Sequence, residues 1–224
     1  MESSTKSWDP IWEKVFSTGE WGKYPPEELI RFIARTFYQA PDRSQVTILD
    51  AGCGTGAGTW YLAREGFSVT SLDGAPSALR TGKQRLEGEG LPARPVQGDL
   101  IALPFRSGTF DAVTDIAAIS QNRLAAIRSI LSEIHRILKP GGRFFTMMLR
   151  TGCWGDGMGT RLEQGTYIDI PEGPLAQRGV THFFSESEIQ ELFRPFQVRS
   201  WETSLRTYEN RTREISFWVV IAEK

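Results

Sequence analysis

The residues best suited to chemistry are a run of glycines with an acidic residue in front of it. Gly52, Gly54 and Gly56 alternate with other residues, and Asp50 stands directly before this run. Glycines let the backbone turn tightly and let a ligand approach without a Cβ in the way. A carboxylate repels a pyrophosphate and attracts positive charge. We therefore expect Asp50 to suit a ligand that carries cationic groups, such as an ammonium and a sulfonium.

Two further acidic residues each follow a short apolar run. Asp73 ends the second such run, and Gly98 and Asp99 follow the third. A carboxylate at the end of the second strand can accept hydrogen bonds from both hydroxyls of a ribose. Asp99 stands where an adenine amino group could donate to it. The acids together indicate a nucleoside-containing ligand.

The elements that must position these acids alternate between strand and helix. Short apolar runs bounded by polar residues predict buried strands at residues 46–49, 67–72, 93–96, within 110–118, and at 143–149. Helical patterns lie between them, at residues 59–65, 76–89 and 124–138. This alternation predicts a mainly parallel sheet covered on both faces, which binds ligands beyond the carboxyl ends of its strands.

The flanking segments complete the predicted domain plan. Residues 1–40 contain two helical patterns and are predicted to form an N-terminal helical lid on a main domain at 41–224. Residues 151–181 are glycine-rich without apolar periodicity, and we expect them to form an insertion at the acceptor site. Ser185 and Glu188 predict a capping box. The runs 197–205 and 214–222, joined through Asn210, predict an antiparallel hairpin.

Five segments resemble successive motifs of the class I S-adenosylmethionine-dependent methyltransferases, in the small-molecule group that includes quinone-biosynthesis enzymes. They are ILDAGCGTGAGTWYLA, VTSLDGA, ARPVQGDLIALPF, FDAVTDIAAIS and LSEIHRILKPGGRFF. The resemblance covers about residues 47–149 and, less specifically, the terminal hairpin. It implies an α/β fold, a doubly wound, seven-stranded, mainly parallel sheet with an antiparallel last strand, and S-adenosyl-L-methionine as the cofactor.

The resemblance also implies which residues bind the cofactor. Gly52, Cys53, Gly54 and Gly56 would lie beside the methionine part, with Asp50 orienting its ammonium. The next motifs would place Asp73, Gly74 and Ala75 at the ribose and Asp99 and Leu100 at the adenine. At the end of the fourth strand, Asp115, Ile116 and Ala117 would supply backbone carbonyls near the methionine, and the side chains of Asp115 and Ser120 would lie nearest to the reacting centre.

The sequence offers two candidate catalytic residues, Tyr24 and His182. Tyr24 belongs to an aromatic N-terminal group with Trp8, Trp12 and Trp21, which either only covers the sheet or closes over cofactor and acceptor as a lid. As part of a lid, Tyr24 would sit beside the sulfonium. His182 follows the glycine-rich segment and is either a packing residue or a general base.

Composition limits the partners that we expect. The 224 residues carry a net charge of -1, without the basic excess of a nucleic-acid binder. Apolar runs fall short of the roughly 20 residues that span a membrane. The two cysteines make neither a disulfide framework nor a zinc site. We expect a cytoplasmic protein without a bound metal, nucleic acid or membrane, and the oligomeric state stays open.

The predicted function is transfer of a methyl group from S-adenosylmethionine to a small-molecule acceptor, at oxygen, nitrogen or carbon. One alternative is a nicotinamide-dependent oxidoreductase, because Gly52, Gly54 and Ala57 also satisfy the dinucleotide fingerprint. A second is the same fold performing another reaction. A third is a non-catalytic module that binds S-adenosylmethionine. The acidic residues count most against the first.

Overall fold

The structure is a computed structural model that describes residues 8–19 and 21–224. Residues 1–7 and Glu20, part of the predicted lid, lie outside the described residues. The helices are α1 (Ile11–Thr18), α2 (Glu27–Phe37), α3 (Ala57–Arg64), α4 (Pro76–Gly88), α5 (Leu124–Ile137) and α6 (Glu186–Leu192). The strands of the main sheet are β1 (Thr47–Ala51), β2 (Ser68–Asp73), β3 (Arg94–Gln97), β4 (Phe110–Ile116), β5 (Leu138–Leu149), β9 (Gln197–Tyr208) and β10 (Arg213–Glu223).

These strands form a seven-stranded sheet in the order β3-β2-β1-β4-β5-β10-β9. Strands β3, β2, β1, β4 and β5 pair in parallel, whereas β10 runs antiparallel to both β5 and β9. The predicted fold class, including the reversed last strand, is confirmed. The strand order reverses at β1, so the crevice beyond β1 and β4 is the expected ligand site.

Hydrophobic packing covers both faces of this sheet. On one face, Ile127, Ile130 and Ile134 of α5 are fully buried in a cluster that includes Phe144 of β5. On the other face, Phe32 of α2 stacks on Phe145, with 5.1 Å between ring centroids. The alternation of Phe144 and Phe145 between faces follows from the pleat of the strand. The second predicted N-terminal helix is therefore part of the sheet's cover.

Helix α1 lies elsewhere, against the start of α4. Glu13 accepts hydrogen bonds from the backbone nitrogen of Ser77 at 3.1 Å and from its hydroxyl at 3.0 Å. A carboxylate at a helix N-terminus interacts favourably with the helix dipole. This contact holds α1 over the carboxyl ends of the strands, so of the two N-terminal helices it is α1 that approaches the expected site.

The glycine-rich segment contains a small sheet of its own. Its strands are β6 (Thr160–Glu163), β7 (Thr166–Ile168) and β8 (Thr181–His182), paired antiparallel in that order. The sequence pattern did not predict these strands, because strands this short show no clear alternation of polar and apolar residues. Ile170 and Phe183 are buried with Leu149 beneath this sheet, which fixes the segment against the domain.

The C-terminal predictions agree with the structure. The Ser185 hydroxyl accepts from the Glu188 backbone nitrogen, and the Glu188 carboxylate accepts from the Ser185 backbone nitrogen at 2.9 Å. Asn210, with φ of 56°, turns the chain between β9 and β10. Within the part of the chain that the structure describes, no helix is long and apolar enough to cross a membrane.

Candidate functional site

A cavity of about 260 Å³ opens at the carboxyl ends of β1, β2 and β4. Its floor includes Asp50, Gly52, Gly54, Asp73, Leu100 and Ile116. Its roof comes from the N-terminal segment, through Trp8, Trp12, Phe16, Trp21 and Tyr24. Leu175 lines the cavity from the glycine-rich segment. The fold therefore brings three distant parts of the sequence together at the edge of the sheet where ligands are expected.

The glycine loop takes its shape from its neighbours. Gly52 has φ of 67°, a conformation that L side chains rarely adopt, and a Cβ there would overlap the Cβ of Ala118. The backbone nitrogens of Gly52 and Cys53 both donate to the Leu72 carbonyl, at 2.8 and 3.0 Å. The loop is thus bonded to the end of β2 and pressed against the segment after β4, so glycine is required at position 52 for two reasons.

Asp50 is a buried carboxylate at the cavity floor. It is 3% exposed and accepts hydrogen bonds from the hydroxyls of Thr59 at 2.6 Å and Thr114 at 3.3 Å. Burial raises the pKa of Asp50 to about 6, although these hydrogen bonds oppose the shift. Gly58 lies so close that a Cβ there would stand 3.0 Å from a carboxylate oxygen. Asp50 therefore has a fixed position and a charge that depends on pH near neutrality.

Asp73 is held by backbone amides on both of its oxygens. Gly54 donates to Oδ2 and Ala75 donates to Oδ1, each at 2.8 Å. Burial raises the pKa of Asp73, and these amides oppose that shift. An ionised carboxylate offers about four lone-pair positions. Two remain for the hydroxyls of a ribose, so the residue fits the role that the sequence predicted.

Two residues predicted near the reacting centre lie outside the cavity lining. Asp115 is fully buried and accepts from the Thr146 hydroxyl at 2.6 Å and the Ile119 backbone nitrogen at 3.1 Å. Burial raises the pKa of Asp115 to about 7. Ser120, also fully buried, accepts from the Leu149 backbone nitrogen at 3.0 Å. Both side chains tie the end of β4 to β5. Ile116 faces the cavity instead, because side chains alternate along a strand.

Of the other predicted cofactor residues, Cys53, Gly74, Leu100 and Tyr24 line the cavity, whereas Gly56, Ala75 and Asp99 do not. Asp99 accepts from the Ile101 backbone nitrogen at 3.1 Å within a turn. Gly74 contacts Trp8 so closely that a Cβ there would overlap the indole. The adenine end of the expected site is thus bounded by Leu100 and Gly98.

The two candidate catalytic residues differ in position. Tyr24 lines the cavity, is 73% exposed, and packs edge-on against Trp60. His182 is fully buried and is not part of the lining. Its Nδ1 pairs with the Thr166 hydroxyl at 2.7 Å, and burial lowers the pKa of its imidazole. The structure brings Tyr24 to the site, while it places His182 in the packing of the small sheet.

The charge of the site is one-sided. Asp9, Asp50 and Asp73 line the cavity, and no Lys, Arg or His within residues 8–19 and 21–224 joins them there. None of the ion pairs among the described residues includes these acids or the nearby Asp115. Buried charges are normally paired, since an unpaired carboxylate is costly to bury. The arrangement therefore favours a ligand that brings positive charge.

Several lining residues were not singled out from the sequence. Gln121 and Asn122 follow the predicted segment after β4, and extending that motif by two residues would have included them. Asp9 and Leu175 reach the cavity through the packing of the N-terminal and glycine-rich segments, and no local pattern marks them. Among the described residues, no cluster of His, Cys, Asp and Glu is placed to hold a metal ion.

Comparison with known proteins gives the family. Residues 48–142 match the family described as a methyltransferase domain. This segment is a methyltransferase domain. It is 42% identical over 97 residues to an uncharacterised methyltransferase of Synechocystis, covering 43% of this chain and 44% of that protein. It is 34% identical over 145 residues to the demethylmenaquinone methyltransferase of Symbiobacterium thermophilum, covering 60% of this chain and 51% of that enzyme.

Solved methyltransferase structures share the fold. A SAM-dependent methyltransferase of Methanosarcina mazei superposes with a TM-score of 0.71 at 23% identity, covering 86% of this chain and 96% of that one. The chain spans about half the length of the curated methyltransferases named above. The matched family segment contains β1 to β4 and α5, and so includes the glycine loop, Asp50 and Asp73, but neither the roof nor the small sheet.

Proposed function

We propose that the cavity binds S-adenosyl-L-methionine and that the protein transfers its methyl group to a small-molecule acceptor. The observation that carries this proposal is the buried acidic floor, where Asp50 and Asp73 face a cavity with no basic side chain among the described residues. S-adenosylmethionine brings an ammonium and a sulfonium to such a floor. The match of residues 48–142 to a methyltransferase domain supports the same donor.

The residues present fit the ribose, the adenine and the ammonium of this cofactor. Asp73 has oxygens left to accept from the ribose hydroxyls, and Leu72 and Leu100 offer apolar surface at the adenine end. Asp50 would attract the ammonium, and the backbone of Ile116 and Ala117 would bound the methionine part. Bound S-adenosylmethionine would supply an electrophilic methyl group, so the chemistry comes with the cofactor.

The work of the protein is then to bind, orient and exclude water. Holding an acceptor at about 3–3.5 Å from the methyl group can provide much of the rate acceleration. The aromatic roof of Trp8, Trp12, Phe16 and Trp21 would keep water from the reacting groups. Positioning of this kind needs no catalytic dyad, so the burial of His182 away from the lining is consistent with the proposal.

The alternatives account less well for the site. A nicotinamide dinucleotide would bring its pyrophosphate to the glycine loop, where Asp50 and Asp73 would repel it. A non-catalytic module would bind the same cofactor and turn over no acceptor. The comparisons with known proteins lend support to neither. We place the protein in the cytoplasm, as its composition suggests. Because demethylmenaquinone methyltransferases are among its relatives, a quinone-like ring is one acceptor to test.

Titration calorimetry tests the cofactor assignment. We expect well-folded protein to bind S-adenosylmethionine and to give no fluorescence change with NADH. Asp73→Ala should weaken cofactor binding by at least about tenfold, since hydrogen bonds to a charged group contribute about 1.5–3 kcal/mol. Asp111→Ala is the matched control, because Asp111 pairs with Lys139 away from the cavity. Binding of NADH in place of S-adenosylmethionine would refute the proposal.

A further inference from the structure

Asn122 has a buried hydrogen-bond acceptor beside the cavity. It is 5% exposed, it lines the cavity, and its Oδ1 has no partner among the described residues. Its Nδ2 donates to the carbonyls of Ala118 at 3.1 Å and Ile119 at 3.3 Å. Turning the amide over would set oxygen against these carbonyls, so its orientation is fixed. Since buried polar atoms are normally satisfied, Oδ1 indicates a missing donor.

The neighbouring Gln121 shows that a side-chain amide in this segment can have partners for both its nitrogen and its oxygen. Its Nε2 donates to the Ala117 carbonyl at 3.4 Å, and its Oε1 accepts from the Thr181 hydroxyl at 3.3 Å. Both residues line the cavity and both are largely buried. Gln121 is therefore satisfied within the protein, whereas Asn122 has its acceptor left for a bound molecule.

The charges at the cavity restrict which donor fits. Asp50 and Asp73 are the acids that cofactor binding would use, which leaves Asp9 as a further carboxylate on the lining. A carboxylate or phosphate group on the acceptor would meet only negative charge, because the described lining has no basic side chain. Such a group also has no proton to donate to Asn122 near neutral pH. The site thus disfavours anionic acceptors.

The aromatic roof suits a nitrogen compound. Trp12, Phe16 and Trp21 lie within 6.0 Å of one another, measured between ring centroids, and all three line the cavity. Aromatic ring faces attract ammonium groups and the positive end of N–H bonds. Arg178 already stacks on Trp21, at 4.8 Å from its ring centroid, which is the kind of contact that these rings favour.

Resting on the function proposed above, we propose that the acceptor is a small primary or secondary amine whose N–H donates to Asn122 Oδ1. The amine binds after losing its extra proton to solvent, and it keeps a lone pair on nitrogen. That lone pair forms the bond to the methyl carbon, the carbon–sulfur bond breaks, and its electron pair stays on sulfur. The methylated ammonium then releases a proton to solvent. A tertiary amine has no N–H, so methylation should stop there.

A matched panel of acceptors tests this class. The probes are 2-phenylethylamine and tryptamine, their N-methyl and N,N-dimethyl forms, and the alcohol and carboxylate of each skeleton, with S-adenosylhomocysteine measured by mass spectrometry. We expect turnover of primary and secondary amines at least about tenfold above the carboxylates, which have no proton to donate to Asn122 Oδ1; this is the factor that one hydrogen bond provides. The alcohols can donate that hydrogen bond, and we expect them to react more slowly because an acceptor oxygen needs a base to remove its proton. Preference for an alcohol or carboxylate, a quaternary product, or no turnover of any amine would overturn the assignment.

Calorimetry with S-adenosylmethionine on the same protein separates the two proposals. If the cofactor binds and the amines fail, the acceptor class is wrong and the proposed function stands. If the cofactor itself does not bind, the proposed function fails first.

Variants of the amide locate the contact. Asn122→Ala should raise the KM for the amine about tenfold, as expected for one lost hydrogen bond, with the Kd for S-adenosylmethionine unchanged. Gln121→Ala is the control, and its acceptor KM should change by less than about threefold, since its acceptor atom is already paired. Asn122→Asp should stabilise the protonated amine and shift the pH profile of kcat to higher pH. Altered packing alone does not produce such a shift. A weaker cofactor Kd in Asn122→Ala with an unchanged amine KM would refute the contact.

Discussion

Lowering the pH should weaken cofactor binding through the protonation of Asp50. The pKa of Asp50 is raised to about 6 by burial, so the carboxylate is mostly ionised at neutral pH and mostly protonated at about pH 5. A cationic ligand binds the ionised form. The sign follows from linkage: protons and cofactor compete for the same carboxylate, so affinity falls as the pH falls through the pKa.

The size of this effect can be worked out for a single titrating group. If only the ionised form binds, the Kd is multiplied by one plus the ratio of protonated to ionised carboxylate. With a pKa of about 6, this factor is about eleven at pH 5 and close to one at pH 7. Calorimetry at a series of pH values between these two should therefore show about a tenfold loss of affinity for S-adenosylmethionine.

Two variants distinguish Asp50 from its neighbours. In Asp50→Asn the Kd should depend less steeply on pH, leaving only the contribution of Asp73, whose pKa is also raised by burial. Asp115→Asn is the matched control, because Asp115 is equally buried yet does not line the cavity. The pKa of Asp115 is raised to about 7, so Asp115 is mostly protonated and uncharged where Asp50 titrates, and Asp115→Asn should leave the pH dependence of the Kd close to that of the wild type. The reasoning would be refuted if the Kd of Asp50→Asn changed with pH as steeply as that of the wild type, or if the wild-type Kd did not change with pH.

Two further predictions concern stability. Because folding raises the pKa of Asp115 to about 7, its contribution to stability is full below the unfolded pKa and is lost as pH rises through about 7. The loss is about 1.4 kcal/mol for each unit of the shift, so about 4 kcal/mol in all. Asp115→Asn should remove this loss, so its free energy of unfolding in urea should fall less than that of the wild type between about pH 4 and pH 8. Gly52→Ala should destabilise by more than about 2 kcal/mol, since it adds an overlap with Ala118 to a left-handed φ of 67°. Gly108 has φ of 65° and open space around it, so Gly108→Ala should lose only the roughly 1 kcal/mol that a left-handed backbone costs a residue with a Cβ. Equal losses of stability in the two variants would contradict the steric argument.

The fold was predictable where periodicity was strong. Helix α5 carries Ile127, Ile130 and Ile134 at helical spacing, and each is buried as that spacing predicts. The strands of the main sheet follow apolar runs in the same way, and Ser185 with Glu188 marked the start of α6. The strands of the small sheet were not predictable, because β8 comprises only Thr181 and His182 and is defined by its partner strand.

The site was predictable at its floor and less so around the fourth strand. Asp50 and Asp73 each stand at the end of a parallel strand, where a motif and a topology rule agree. Asp115 was assigned to the reacting centre by its place in a motif, but its side chain is turned toward Thr146 and Ile119. Which face a residue at a strand end occupies depends on the register of the whole sheet, and a one-residue difference moves the side chain to the other face.

The acceptor end of the cavity depends on contacts between segments far apart in the sequence. A Cβ on Gly179 would overlap the Asp9 carboxylate, and Arg178 stacks on Trp21. The N-terminal segment and the glycine-rich segment therefore pack directly on each other above the floor of the cavity. Neither lies within residues 48–142, where the family match ends. We therefore expect acceptor choice to depend on the roof and on Asn122. Exchanging these parts between related methyltransferases should transfer acceptor preference and leave the Kd for S-adenosylmethionine unchanged.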